Sequence, residues 1–378
     1  MAQKNEIQET ARIDALFEKV SVLIEQARHY VATSVNIAEV KTRYEVGRFI
    51  YEDEQQGERA AYGQQILRNL SERLIERFGN DWSYDTLKRC RKFYQAYENA
   101  VIGATPLPQL EISGETPVNK DVTNCGNAVA PIRLPRFTLS WSHYLILMRI
   151  ENVEARSFYE IEATQQHWSV SQLSRQVGSS LYERLALSRD KDEVMRLAKE
   201  GQTVEKPSDI IKDPLTLEFL GLKPDSAYTE SKLEDAIISK MQQFLLELGK
   251  GFLFEARQKR FTFEEENFYV DLVFYNRLLQ CYVLIDLKTD KLTHQDLGQM
   301  QMYVNYYDRF VKQEFEKPTI GILLCESKKD ALVELTLPKD ANIYATQYQL
   351  YLPDKDLLQA KVREWIAEFK ESSKKEKK

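Results

Sequence analysis

Residues 268–288 read FYVDLVFYNRLLQCYVLIDLK, and the fold turns on them. Two apolar strands flank a polar turn at Asn276-Arg277, and each carries an acid where an apolar residue would pack better. Asp271 lies between Val270 and Leu272, and Asp286 ends the run Tyr282-Val283-Leu284-Ile285. Lys288 follows two positions later, so in a strand Asp286 and Lys288 leave on one face. An acid-x-Lys pair alone is more often a surface ion pair. Here four apolar residues precede it and a second acid sits mid-strand nearby. Burying acids costs several kcal/mol unless they are paired or metal-bound. Two converging carboxylates beside a lysine make a poor core and a good Mg²⁺ site.

The flanking sequence supplies the elements of an α/β domain over 223–370. An amphipathic helix over Leu233–Leu248 stops at Gly249-Lys250-Gly251. Strands are predicted at Phe252–Arg257, Arg260–Phe263, Phe268–Tyr275 and Gln280–Lys288. A helix over Thr293–Phe315, a buried strand over Pro318–Cys325, a strand over Ile343–Leu352 and a helix over Asp354–Lys370 follow. Residues 371–378, ESSKKEKK, form a solvated basic tail.

Phosphodiester hydrolysis needs a metal on the scissile oxygen, an activated water and charge relief for the leaving group. The D-(x)n-(D/E)-x-K spacing of metal-dependent phosphodiesterases fits that need. Asp271 and Asp286 offer hard oxygen donors for Mg²⁺, with Mn²⁺ as a substitute, and the Leu287 carbonyl adds a third. Lys288 is placed to orient the water or to stabilise developing charge. Glu234, on the preceding helix, can serve as an outer ligand, with Asp235 competing from the neighbouring face. Gln299 and Tyr303 are four apart on a helix and share a face, suited to holding a backbone phosphate or the lysine. His29, His143, His167 and His294 show no metal-ligand spacing.

Residues 10–200 read as a helical domain interrupted over 99–136, a Pro-, Gly- and Asn-rich stretch that reads as a flexible insertion. A helix over Ala60–Phe78 stops at Gly79-Asn80, Ser83 looks like an N-cap, and Thr86–Tyr97 continues as helix. That second helix carries Lys88, Arg89, Arg91 and Lys92 within two turns. Helix, short turn and basic helix look like a helix-turn-helix that binds DNA; docking of a protein partner is the rival reading. Arg175 and Arg184 flank a second candidate segment, and 201–222 reads as a linker.

With 52 basic and 58 acidic residues the net charge is −6, so any nucleic-acid contact rests on clusters and not on a basic coat. The four cysteines are scattered, which fits buried thiols in a reducing compartment. The first twenty residues are polar and lack a signal-peptide core, and no apolar run approaches the roughly 18 residues of a membrane span. A cytoplasmic, membrane-free protein is expected. There is no P-loop, dinucleotide fingerprint or Ser-His-Asp constellation.

The words FLLELGKGF, FYVDLVFY, DLKTDKL and GQMQMYVNYYD together resemble the YhcG-type bacterial branch of the PD-(D/E)XK nuclease superfamily. IEQARHYVATSVN, RAAYGQQILRNLSERL, LSWSHY and WSVSQLSRQVGSSLYERL resemble that family's helical domain. The resemblance implies an α-helical N-terminal domain joined to an α/β, restriction-endonuclease-like core of order α-β-β-β-α-β. It implies Glu234, Asp271, Asp286 and Lys288 as the active-site set, with Gln299 and Tyr303 as the helix pair. Two departures stand out: Asp286 occupies a position where Glu is usual, and Val270 precedes Asp271 where the superfamily name has proline. The expectation is a Mg²⁺-dependent DNA endonuclease acting as a homodimer, since duplex cleavage commonly takes two sites. The alternative is a non-catalytic nucleic-acid-binding or assembly factor that retains the fold.

Overall fold

The continuous apolar runs of 268–288 place its two strands inside a sheet. A computed structural model describes residues 34–54, 60–98, 137–187, 191–222, 228–338 and 340–364. The expected insertion over 99–136 and the tail over 371–378 lie outside the described residues. The chain divides into two compact units, Met1–Glu151 and Asn152–Lys378.

The first unit is helical where it is described. Helix α1 covers 34–54, α2 is Ala60–Phe78, α3 is Tyr84–Tyr97 and α4 is Trp141–Leu147. Gly79, at φ 91°, ends α2, and a single 3-10 turn leads to Ser83. Ser83 caps α3 by accepting from the Thr86 amide at 3.4 Å, so the helix begins two residues before the expected Thr86. Ser71 Oγ donates to the Trp82 carbonyl at 3.1 Å and ties α2 to that turn. The buried face of α3 carries Leu87, Cys90, Phe93, Tyr94 and Tyr97. Phe93 meets Phe137 and Tyr144 with ring centroids 5.2 Å apart in each pair. At the α1–α3 crossing a Cβ on Gly47 would stand 2.1 Å from the Cys90 carbonyl oxygen, so only glycine permits that approach.

The second unit holds a six-stranded mixed sheet of order β1-β6-β5-β4-β3-β2. The strands are β1 (Leu215–Thr216), β2 (Phe252–Phe263), β3 (Glu266–Asn276), β4 (Cys281–Lys291), β5 (Ile320–Ser327) and β6 (Ile343–Gln349). β2, β3 and β4 pair antiparallel, and β4, β5, β6 and β1 pair parallel. Helices α9 (Glu230–Ser239) and α10 (Met241–Leu248) cover one face, burying Leu233, Ile237 and Phe244 against Leu272, Phe274 and Ile285. Helix α11 (His294–Tyr306) covers the other, with Met300 and Val304 against Leu284 and Leu323. Gly321 lets α11 approach β5, since a Cβ there would stand 2.7 Å from Met300 Cγ. The order from α9 to β5 is the expected α-β-β-β-α-β, followed by α12 (Asp330–Thr336) and β6.

Four further helices belong to this unit: α5 (Val153–Gln165), α6 (Val170–Gly178), α7 (Leu181–Leu187) and α8 (Lys191–Glu200). The stretch expected as a linker contributes β1 to the sheet edge, because Ile210, Leu215 and Leu217 are buried in the sheet's core. Arg175 and Arg184 do not face outward. Arg184 Nη1 lies 2.7 Å from Glu247 Oε1 and Arg175 Nη1 lies 3.2 Å from Glu247 Oε2. Their role as nucleic-acid contacts is therefore corrected: they balance a fully buried acid on α10.

Three elements differ most in extent from the sequence reading. β2 is one strand where two were expected, with a register shift between Phe254 and Ala256. The amphipathic helix breaks at Lys240, whose φ of −121° separates α9 from α10. α11 ends at Tyr306 and closes with a π-helical turn over Tyr307–Val311, short of Phe315.

Candidate active site

β3 and β4 diverge at the site. Their last ladder pair is Leu272↔Ile285, so Asp271 and Asp286 take the next cross-strand position and share a face. The Asp271 carboxylate fills the gap: its Oδ2 accepts the Leu287 amide at 2.8 Å, replacing a ladder partner. In an antiparallel pair the N–H and C=O of one residue leave on the same side. The Leu287 carbonyl is thereby directed to the side where Asp271 lies.

Asp286 is 3% exposed, and its Oδ2 has no hydrogen bond. Lys288 Nζ stands 2.8 Å from that oxygen as its ion-pair partner. Burial pushes the Asp286 carboxyl up to about 7, the Asp271 charge adds to that, and Lys288 opposes it. Burial lowers the Lys288 ammonium, but Asp286, Glu230 and Asp271 outweigh it and hold the group above the ordinary lysine range. Glu230 Oε1 is 3.6 Å from Lys288 Nζ. Burial and the Asp271 charge raise the Glu230 carboxyl, with Lys288 opposing.

Glu234 is buried at 4% exposure. Arg257 Nε donates to its Oε1 and Gln258 Nε2 donates to its Oε2 at 2.6 Å. The exposed alternative, Asp235, pairs with Arg257 Nη2 at 2.6 Å. Gln299 Nε2 donates to the Tyr303 hydroxyl, so the two side chains form one unit on α11. Burial raises the Tyr303 phenol, and the charges of Asp286 and Asp271 add to it. The structure thus gathers Asp271, Asp286 and Lys288 directly, sets Gln299 and Tyr303 within range of their charge, and occupies both oxygens of Glu234.

Among the described residues no three acid, imidazole or thiol groups form a preformed metal cage. The donor set still fits a hard divalent cation: two carboxylates, a backbone carbonyl, and in Asp286 Oδ2 a buried oxygen lacking a hydrogen bond. Sequence reasoning missed Gln258, whose amide also donates to Asp271 Oδ1 at 2.9 Å. It sits in the polar run Arg257–Arg260, which carries no periodic signal.

In the first unit, Lys88, Arg89 and Lys92 are exposed on α3. Arg91 is not free with them: its Nη1 lies 2.6 Å from Glu54 Oε1 on α1. The Arg68 guanidinium and the Lys88 ammonium each stand over the Tyr84 ring, 5.7 Å and 5.5 Å from its centroid.

Residues 208–363 match the model of the YhcG PDDEXK nuclease domain, and residues 19–184 match the DUF1016 N-terminal domain. The YhcG protein of Escherichia coli (strain K12), which carries a provisional nuclease name, is 36% identical over 351 residues, covering 92% of this chain and 93% of its own length. The chain belongs to the YhcG family of PDDEXK nuclease-domain proteins. Among solved structures, a repair endonuclease from Pyrococcus abyssi matches at 17% identity and a TM-score of 0.23, over 35% of this chain and 50% of its own. An EndoMS complex with double-stranded DNA matches at 18% identity and 0.24, again over 35% of this chain and half of that one. The two YhcG-family matches meet between residues 184 and 208, whereas the compact units part at Glu151. No described helix is long and apolar enough to cross a membrane.

Proposed function

We propose that the chain is a Mg²⁺-dependent DNA endonuclease, with Mn²⁺ as a substitute ion, whose first unit binds DNA through α3. The observation that carries this reading is the cross-strand placement of Asp271 and Asp286 with Lys288 Nζ 2.8 Å from the buried Asp286 oxygen. Asp271, Asp286 and the Leu287 carbonyl would hold the cation. Bound there, it would polarise a phosphoryl oxygen and lower the pKa of a water. Lys288, paired to Asp286 and next to Glu230, keeps its proton and donates it as a hydrogen bond to the attacking water or to a phosphoryl oxygen. The Gln299–Tyr303 pair offers neutral donors for a backbone phosphate beside the site. Glu234 belongs to the same centre through Gln258.

On α3 the contacts come from Lys88, Arg89 and Lys92, with Arg91 in the structural role that its pairing to Glu54 gives it. Cutting both strands of a duplex takes two such centres, so the active form is a homodimer. Incubating the full chain with linear duplex, branched, single-stranded DNA and RNA tests the reading. Cleavage of DNA with Mg²⁺ and its loss in chelator are expected. Cleavage that persists in chelator, or binding without cleavage of any substrate, would contradict it.

A further inference from the structure

Gln258 sits where β2 departs from strand geometry. Its φ is 45°, in the left-handed region that a non-glycine residue enters at a cost of about 1–3 kcal/mol. The β2–β3 pairs run Arg257↔Leu272 and then Lys259↔Val270, so Gln258 and Asp271 face each other without a ladder pair. In an undistorted strand Arg257 and Gln258 would leave on opposite faces. Here both reach Glu234, one on each oxygen. The kink is what lets two consecutive side chains converge on one carboxylate.

The same amide nitrogen of Gln258 lies 2.6 Å from Glu234 Oε2 and 2.9 Å from Asp271 Oδ1. Ionised carboxylates only accept, so the amide orientation is forced: turned over, its oxygen would oppose two carboxylate oxygens. Asp271 is then held at both ends, Oδ2 by the Leu287 amide and Oδ1 by Gln258. We infer that Gln258 is a positioning residue that sets Asp271 for the cation, and that Glu234, whose charge the Arg257 guanidinium already balances, acts through Gln258 and not as a ligand. The chain of contact runs Arg257, Glu234, Gln258, Asp271. This inference rests on the nuclease reading above.

The test is Mn²⁺ binding by the full chain without nucleic acid, read by electron paramagnetic resonance of the free ion. Thermal melts run on the same samples. Q258M and E234M should each weaken binding about 10–100-fold, as loss of groups that orient metal ligands does. The double variant should be no weaker than the worse single, because both remove one path. E234Q keeps one acceptor oxygen, to be shared between Gln258 and Arg257, while being a poor ligand, so its loss should be clearly smaller than that of E234M. If Q258M fails to fold, E234Q against E234M decides the question. Unchanged binding in Q258M, additive losses in the double variant, or E234Q as weak as E234M would each overturn the inference alone. A parent chain that binds no Mn²⁺ would overturn both the inference and the nuclease reading.

Discussion

Two buried carboxylates in the second unit meet opposite fates. Glu247 on α10 is 0% exposed and Asp286 on β4 is 3% exposed. Glu247 is saturated: Arg184 at 2.7 Å, Arg175 at 3.2 Å and the Thr216 amide at 3.0 Å all reach its oxygens. Burial alone would raise it, but Arg184, Lys212 and Arg175 outweigh burial and bring it down to about 2. Asp286 has Lys288 alone, faces the like charge of Asp271, and is pushed up to about 7. A buried acid with its full complement of donors is part of the framework. A buried acid left short, next to a second acid, is where we propose that a cation is held.

That contrast predicts opposite outcomes for two conservative changes. D286N should cut cleavage by about 10³-fold or more, the several kcal/mol that a cation supplies to the transition state. Its melting temperature should be unchanged or higher, because the burial cost and the Asp271 repulsion are removed while Glu230 and Asp271 still balance Lys288. E247Q should leave Mn²⁺ affinity unchanged in the folded fraction. It should cost about 3–5 kcal/mol of stability by leaving the buried Arg184 without its carboxylate and Arg175 with Glu218 alone, or roughly 10 °C in melting temperature. Activity assays and calorimetric melts on the pair break the comparison if both variants lose the same property.

Truncation sharpens the same point. A fragment over 208–378 retains Glu247 but lacks Arg175 and Arg184, whereas a fragment over 152–378 keeps all three. The longer fragment should unfold in one cooperative transition. The shorter should melt without one, or at least about 5 °C lower. Equal melts would mean that α5–α8 are not part of the nuclease body.

Acid gives a third handle. The Glu247 pKa is lower folded, about 2, than its ordinary 4.5. Its contribution to stability is thus fully present above 4.5 and is lost as pH falls from there through about 2. The gap in melting temperature between the parent chain and E247Q should therefore narrow from about pH 5 downwards. A gap that holds constant across that range would contradict the assignment.

The candidate site was legible because Asp271 and Asp286 interrupt otherwise continuous apolar runs, where an acid stands out. Ser83 announced the start of α3 for a similarly local reason. Gln258 gave no such signal, since its role depends on a φ of 45° that the run Arg257–Arg260 does not encode visibly. Arg175 and Arg184 read as part of a second DNA-binding candidate because nothing in their own segments points to an acid that lies, for Arg184, 63 residues further on. Lys240 looked like one more polar position on an amphipathic helix, and no glycine or proline in its segment marks the break there.

The smallest expected effect lies in the first unit. Replacing Lys88, Arg89 and Lys92 with Ala should weaken DNA binding and lower its salt slope by about 0.9 per lost phosphate contact. R91A should change that slope little and destabilise the unit by less than about 1 kcal/mol, the worth of a part-exposed ion pair. Salt titrations of binding separate the two. A fourfold basic variant that behaves like R91A alone would move DNA contact away from α3.

The central claim is that the under-satisfied acid marks a cation site, and locating the cation tests it most directly. Crystals of the chain grown with Mn²⁺ should show an anomalous peak bounded by the carboxylates of Asp271 and Asp286 and the Leu287 carbonyl. A peak elsewhere, or none there with Mn²⁺ bound in solution, would contradict the account.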